Sequence, residues 1–308
     1  MPQHSAIGGC FGLDLPLHKD FLYPGAYRFQ SARAAFVALL EALKPSKVWV
    51  PRYICESMLL PLTLYGVTYE FYSINENFEI DDRFTLKESE FLLYVNYFGL
   101  GGRGQRETLE RFRPDDVIID NSQALFSPPA DCLATIYSPR KFFGVPDGGL
   151  LMTRLKIDEP EERDTGSLQR ARHLLIRLAE GPEAGYQSYQ SDEQQLNDCQ
   201  PRRMSHLTER MLRSFDYVDA KAKRRENFMF LHDSLGEENC LSIQTDAVEA
   251  PLCYPFLPES PRQREMLTEN RLYIARYWGE VLDRAGCNDF EINMARNCLA
   301  LPCDQRYG

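Results

Sequence analysis

Four side chains between residues 116 and 150 have the types and spacing for amine–carbonyl chemistry. Asp120 closes the apolar run Val117 to Ile119, and Gln123 follows it closely. Arg140 and Lys141 come just after a second run, Leu133 to Tyr137. A third run, Leu150 to Thr153, is entered through Gly148-Gly149. Each run reads as a short buried strand. A lysine amine can condense with a carbonyl. An acid at the neighbouring strand end can hold a ring nitrogen protonated so that the ring withdraws electrons. Together these are what a pyridoxal phosphate site requires. Each residue taken singly has a plainer reading. An Asp after a strand most often caps the next turn, and a loop Lys is most often solvated. The Gly-Gly after the lysine and the Gln beside the acid favour the site.

The stretch resembles the DegT/DnrJ/EryC1/StrS family of sugar aminotransferases, which has the aspartate aminotransferase type of fold. That family carries an Asp-x-x-Gln or Asp-x-x-His segment at a strand end, then a Schiff-base lysine and, some residues on, Gly-Gly. Here these are Asp120-Asn121-Ser122-Gln123, Lys141 and Gly148-Gly149. The resemblance runs from about residue 25 to 308 and is strongest over 116–149. It implies that Asp120 pairs with the pyridine nitrogen, Gln123 reaches the ring oxygen, and Lys141 anchors the cofactor. Ser31-Ala32-Arg33 stands at the family's phosphate-binding turn, without the usual glycine. The family's ring-stacking aromatic falls on Cys55, with Tyr53 two residues earlier, so both are candidates. Its phosphate-side hydroxyl falls on Ile136, and Thr135 and Ser138 are the nearest hydroxyls, with Ser138 the candidate. Segments at Asn96-Tyr97-Phe98-Gly99, at Arg224 to Leu231 and at Asp304-Gln305-Arg306-Tyr307 also resemble the family. Arg140, Tyr97 and Arg306 are the substrate-binding candidates.

The implied activity is transfer of an amino group from an amino acid, usually glutamate, to a nucleotide-linked keto sugar. The implied setting is surface-polysaccharide or secondary-metabolite sugar biosynthesis, by a homodimer. A sugar dehydratase on the same scaffold is an alternative, although members of that kind lack the lysine. A non-catalytic binder of the cofactor or of a sugar nucleotide is another, because Ala32, Cys55 and Ile136 depart from the pattern. An α/β domain without cofactor is the plainest. In the family a last helix follows the Asp-Gln-Arg-Tyr segment; the chain stops before it, which implies a trimmed C-terminus.

Composition bounds these readings. The 308 residues are 44% hydrophobic and 26% charged, as in an ordinary soluble globular protein. The 35 basic and 45 acidic residues give a net charge of −10, a poor basis for sequence-independent nucleic-acid binding. Nine widely spaced cysteines without a Cys-x-x-Cys pair, and only five histidines, argue against a disulfide framework and a zinc site. The start of the chain lacks a basic region followed by an apolar run, and no stretch has the roughly 20 apolar residues of a membrane span. The expected compartment is the cytoplasm.

The elements that must position these residues follow from pattern. Residues 1–28 read as an irregular lead-in. Ser31 is a fitting N-cap for an Ala- and Leu-rich helix, whose free N–H groups would suit a phosphate. Strands are expected at Lys47 to Pro51, Val67 to Tyr72 and Glu90 to Tyr97, with a helix between the first two ending near Leu64. The glycines at 99, 101, 102 and 104 lack dinucleotide-fingerprint spacing and read as a flexible active-site loop. A short helix, Arg106 to Phe112, leads into the central stretch. This alternation predicts an α/β fold of the pyridoxal-phosphate transferase type I, with an open, mostly parallel sheet. Ligands of such sheets bind beyond the carboxyl ends of the strands. The polar region 157–204 should hold one amphipathic helix, Ser167 to Leu178, and then a surface or partner-contacting segment from 181 to 204. After it come a long helical region from Met204 to Leu235, a strand over Ala250 to Phe256 and a helix over Arg262 to Asn270. The expected division is a cofactor-binding large domain, 1–215, and a small C-terminal α+β domain, 216–308.

Overall fold

The computed structural model describes residues 9–17, 21–246, 248–260 and 264–308. Its elements, in chain order, begin with β1 (Tyr27–Phe29), α1 (Ala32–Leu43), β2 (Lys47–Pro51), α2 (Glu56–Leu64), β3 (Tyr69–Tyr72) and β4 (Glu90–Val95). Next come α3 (Gly102–Arg111), β5 (Val117–Asp120), β6 (Ala134–Tyr137) and β7 (Gly149–Thr153). The helices α4 (Ser167–Arg170), α5 (Arg172–Glu180), α6 (Pro182–Gln194), α7 (His206–Leu212) and α8 (Tyr217–Leu235) follow. The chain then forms β8 (Tyr254–Phe256), α9 (Arg264–Glu269), α10 (Asp289–Asn297) and β9 (Leu299–Leu301).

Seven strands form one sheet in the order β1-β7-β6-β5-β4-β2-β3. The five from the β3 edge inward, β3, β2, β4, β5 and β6, run parallel, whereas β7 lies antiparallel to both β6 and β1. The three apolar runs at the centre of the sequence become β5, β6 and β7. Their burial on both faces explains why they read as unbroken apolar runs rather than alternating ones. Helix α1 packs on this sheet, with Ala34 through Leu40 all buried. Fully burying side chains such as Phe36, Val37 and Leu39 stabilises the fold by about 2 kcal/mol each.

One edge of the sheet collects the candidate residues. The parallel strands β2, β4, β5 and β6 end there, and the register pairs Val95 with Asp120 and Asp120 with Ile136. Strand β1 ends at the same edge, because Phe29 pairs with Gly149 at the entrance to β7. A cluster around Phe142, Phe143, Tyr137 and Leu212 backs the loop after β6. A separate cluster, built on Phe228, Tyr254, Phe256 and Leu299, joins α8 to the two-stranded β8-β9 sheet.

Three expectations are corrected. The glycines after β4 do not form a loose loop: a 3-10 turn over Tyr97–Gly99 leads directly into α3 at Gly102. Gly104 lies within the helix because a Cβ there would come 2.3 Å from the buried Tyr94 hydroxyl. The segment from 181, expected only to lie at the surface or against a partner, opens with the 13-residue helix α6, part of which lines the cavity side of the sheet edge. The region from Met204 to Leu235 is two helices, divided where Asp216 caps α8 by accepting from the backbone N–H groups of Val218 and Asp219. The expected C-terminal helix is present as α9, and its first two expected residues, 262 and 263, lie outside the described residues. Among the described residues no helix is long and apolar enough to cross a membrane. All nine cysteines are free thiols.

Candidate active site

A cavity of about 390 Å³ opens at this edge. Part of its wall is the N-terminus of α1. Ser31 is extended and its hydroxyl accepts from Ala34 N–H at 3.1 Å, so the cap serves one donor of the first turn. The N–H groups of Ala32 and Arg33 lie at the start of a helix lined up with its dipole, where an anion is favoured. Gly148 and Gly149 allow this closeness. Gly148 N–H donates to Gln30 O at 2.7 Å, and a Cβ on Gly149 would stand 2.1 Å from the Ser31 carbonyl. The Gly-Gly is therefore needed where β7 passes beneath the helix start.

Lys141 and Arg140 enter from the turn after β6, and Ser138 lines the cavity beside them. The turn is held from behind. The Phe142 carbonyl accepts from Gln305 Nε2 at 2.9 Å and from Arg224 Nη2 at 3.3 Å. Among the described residues the Lys141 amine has no hydrogen-bond or ion-pair partner. Asp120 is buried at the end of β5, where one carboxylate oxygen accepts from Ser122 N–H at 2.8 Å. Ser122 lines the cavity with a buried hydroxyl that has no partner among the described residues. Cys55, which precedes α2, feels both charges: burial pushes its thiol pKa up, Lys141 pulls it back and Asp120 adds to the rise.

Of the residues singled out from the sequence, Ser31, Ala32, Arg33, Cys55, Ser138, Arg140 and Lys141 share this cavity. Five others do not line it. Asp120 is buried at the strand end behind Ser122, the residue that lines the cavity in its place. Gln123 turns away and accepts from Phe98 N–H at 2.9 Å, leaving its buried Nε2 without a partner among the described residues. Tyr53 is fully buried and donates to the carbonyl of Tyr277, itself a lining residue, so it backs the wall rather than facing the cavity. Tyr97 is also fully buried, and its hydroxyl donates to Tyr53 O at 2.7 Å. Arg306 is half-exposed and forks onto Asp304 at 2.7 and 2.9 Å.

The far wall holds residues that sequence reasoning passed over. Helix α6 brings Tyr189 and Glu193, α5 brings His173, and the stretch before α10 brings Arg276, Tyr277, Trp278 and Glu280. His173 Nδ1 meets Asp192 at 2.9 Å and ties the two helices together. Burial alone would raise the Glu193 carboxyl, but Arg140, with Arg33 and His173, outweighs it and holds the pKa below its ordinary value. One sequence signal for α6 was available: Pro182 at its first position, followed by the acid Glu183. Its polar sequence hid it from periodicity: most of the helix is exposed and only Gly185 and Asp192 are buried, so no apolar stripe marks it.

No protein-family model matches the chain, and no curated protein matches it by sequence. Solved structures do. The sugar aminotransferase CalS13 from Micromonospora echinospora is 13% identical, with 92% of this chain and 84% of that one covered at a TM-score of 0.60. A GDP-4-keto-6-deoxymannose-3-dehydratase with a trapped PLP-glutamate geminal diamine is 17% identical, with coverages of 91% and 84% and a TM-score of 0.62. Helicobacter pylori PseC, an aminotransferase involved in the biosynthesis of pseudoaminic acid, is 15% identical, with coverages of 92% and 82% and a TM-score of 0.56. At such identities the likeness assigns the fold alone: the chain has the α/β architecture of these sugar-modifying enzymes.

Proposed function

We propose that this chain is a pyridoxal-phosphate-dependent aminotransferase that moves an amino group from an amino acid to a nucleotide-linked keto sugar. The observation that carries the reading is one shared cavity at the carboxyl edge of the sheet. There an unpartnered lysine amine and a helix start bared by Gly148-Gly149 share the wall with Ser122, whose N–H bonds the buried Asp120 at the adjoining strand end. These residues fit the cofactor. The α1 start and Ser138 would take the phosphate, Asp120 the ring nitrogen, and Lys141 the aldehyde carbon. The orphaned Ser122 hydroxyl offers one further hydrogen bond. The fold shared with sugar aminotransferases supports the substrate class. By the resemblance, glutamate is the donor, the protein is a homodimer of the cytoplasm, and the chain divides near residue 215.

When bound, the cofactor supplies an electron sink for the carbon that loses a proton. The remaining work falls to the chain. Lys141 would anchor the group, and its amine, when free, would hold and move a proton at Nζ. Asp120 would hold the ring nitrogen protonated through the oxygen that the Ser122 contact leaves free. The aromatic wall of Tyr277 and Trp278 excludes water on one side.

The test is spectroscopic. Purified protein mixed with pyridoxal phosphate should gain a visible absorption band. Borohydride should then fix the adduct on the Lys141 peptide. Glutamate should bleach the band, which separates a transaminase from a passive binder. Absence of any band would remove the proposal.

A further inference from the structure

Arg140 and Arg33 come from different elements, the turn after β6 and the first turn of α1, yet their guanidinium groups converge on one carboxylate. Arg140 Nη2 bonds Glu193 Oε1, and Arg33 Nη2 lies 3.8 Å from Glu193 Oε2. Arg33 Nη1 is held by Asn197 Oδ1, which aims the group. All three charged residues line the cavity that holds Lys141. The other cations lining the cavity are Lys141 and Arg276, and its second lining carboxylate, Glu280, accepts from Glu56 N–H at 3.1 Å. Glu193 is thus the counter-ion of the paired arginines, and its side chain is one-third exposed. The Arg140 Nε is buried and has no partner among the described residues, so the arginine's hydrogen bonding is incomplete in this arrangement.

Two guanidinium groups on one carboxylate mark a point shaped and charged for a single oxyanion. We infer that this point is a ligand oxyanion site that the protein fills with Glu193, and that a carboxylate or phosphate of the incoming ligand displaces it. The side chain sits on α6, which is held to the rest of the wall largely by polar ties. His173 meets Asp192 near its end, and Arg271 and Tyr273 meet Glu183 at its start. An internal anion prevents two bare arginines from facing each other in the empty site. It also weakens ligand binding, because the ligand must compete with it. The inference rests on the cavity being the ligand site and not on the reaction proposed for it.

Glu193→Gln tests it. Binding of succinate, inorganic phosphate, pyridoxal phosphate and pyridoxal would be measured by calorimetry on the full chain. Removing the competing charge should tighten at least one of the anions about tenfold, with pyridoxal, which lacks the phosphate, unchanged. A gain for succinate identifies the oxyanion as a carboxylate, and a gain confined to the phosphates identifies it as phosphate. Glu193→Asp keeps the charge on a shorter stem that reaches fewer partners, so it should give a smaller gain and serves if the Gln variant does not fold. Unchanged or weaker binding of every anion would overturn the inference, since Glu193 would then be holding the arginines in place for the ligand. A gain for anions in a protein that forms no visible band with pyridoxal phosphate would uphold this inference while removing the proposed activity.

Discussion

Lys141 is the residue on which the proposed chemistry turns. Lys141→Ala should abolish transamination, measured as glutamate-dependent turnover of the loaded protein, and should leave no borohydride-fixed peptide adduct. Asp120→Asn should leave the adduct and slow the first half-reaction, because a neutral amide holds the ring nitrogen protonated less well. An unchanged rate would show that another acid serves the ring. Glu193 carries a pH prediction. Its pKa in the folded state lies below the ordinary carboxylate value, since Arg140 and Arg33 outweigh burial. Its contribution to stability is therefore present above about pH 4.3, the ordinary glutamate value, and is lost as pH falls through the depressed folded value. In urea melts from pH 6 to pH 3, Glu193→Gln should be the less stable protein at pH 6 and should converge on the wild type at the acid end. Parallel curves would mean that the arginines do not act on Glu193 in solution.

At the scale of elements, the contact between α1 and β7 is the demanding one. It needs a cap on the helix and no side chain on the strand. Ser31→Ala removes the bond to Ala34 N–H and should cost about 1 kcal/mol in thermal or urea melts. Gly149→Ala is far more severe, because the added Cβ meets backbone atoms of Ser31 and Ala32 at 2.1 to 2.4 Å rather than the yielding end of a side chain. It should cost about 3 kcal/mol or more. In whatever protein remains folded, affinity for pyridoxal phosphate should fall more than affinity for pyridoxal. Equal losses for the two ligands would separate the helix start from phosphate binding.

Over the whole molecule, the C-terminal third reaches back to the lysine turn. Arg224, on α8, is almost wholly buried and pairs with no carboxylate among the described residues. It donates to the carbonyls of Pro251, Leu252 and Phe142 and stacks 4.5 Å from the Phe142 ring centre. Burial lowers its pKa, but an arginine remains charged. Arg224→Met should strand these carbonyl acceptors and cost about 3 kcal/mol. Arg224→Lys should recover part of the stability, but less of the rate of borohydride-fixed labelling at Lys141, because one ammonium cannot span carbonyls on two separate loops. Full recovery of labelling by lysine would show that the charge alone matters there.

The sequence by itself determined the order of strands and helices from α1 through β7, the carboxyl-edge location of Asp120 and Lys141, and the cap at Ser31, though not the edge strand β1 in the expected lead-in. These are local matters: apolar runs, strand ends and helix starts are written in neighbouring residues. It also marked the Gly-Gly, although the need for it became visible only in the close passage of β7 beneath α1. Tertiary structure decided what distance along the chain conceals. Glu193 faces two arginines from α6, a helix whose polar faces gave no periodicity. Tyr53 and Tyr97 lie behind the cavity wall because their hydroxyls find backbone carbonyls there. Gln123 turns to Phe98 N–H, and Arg276 and Trp278 arrive from the far end of the chain. Which way a polar side chain turns depends on which partner the fold leaves within reach, and no local pattern encodes that.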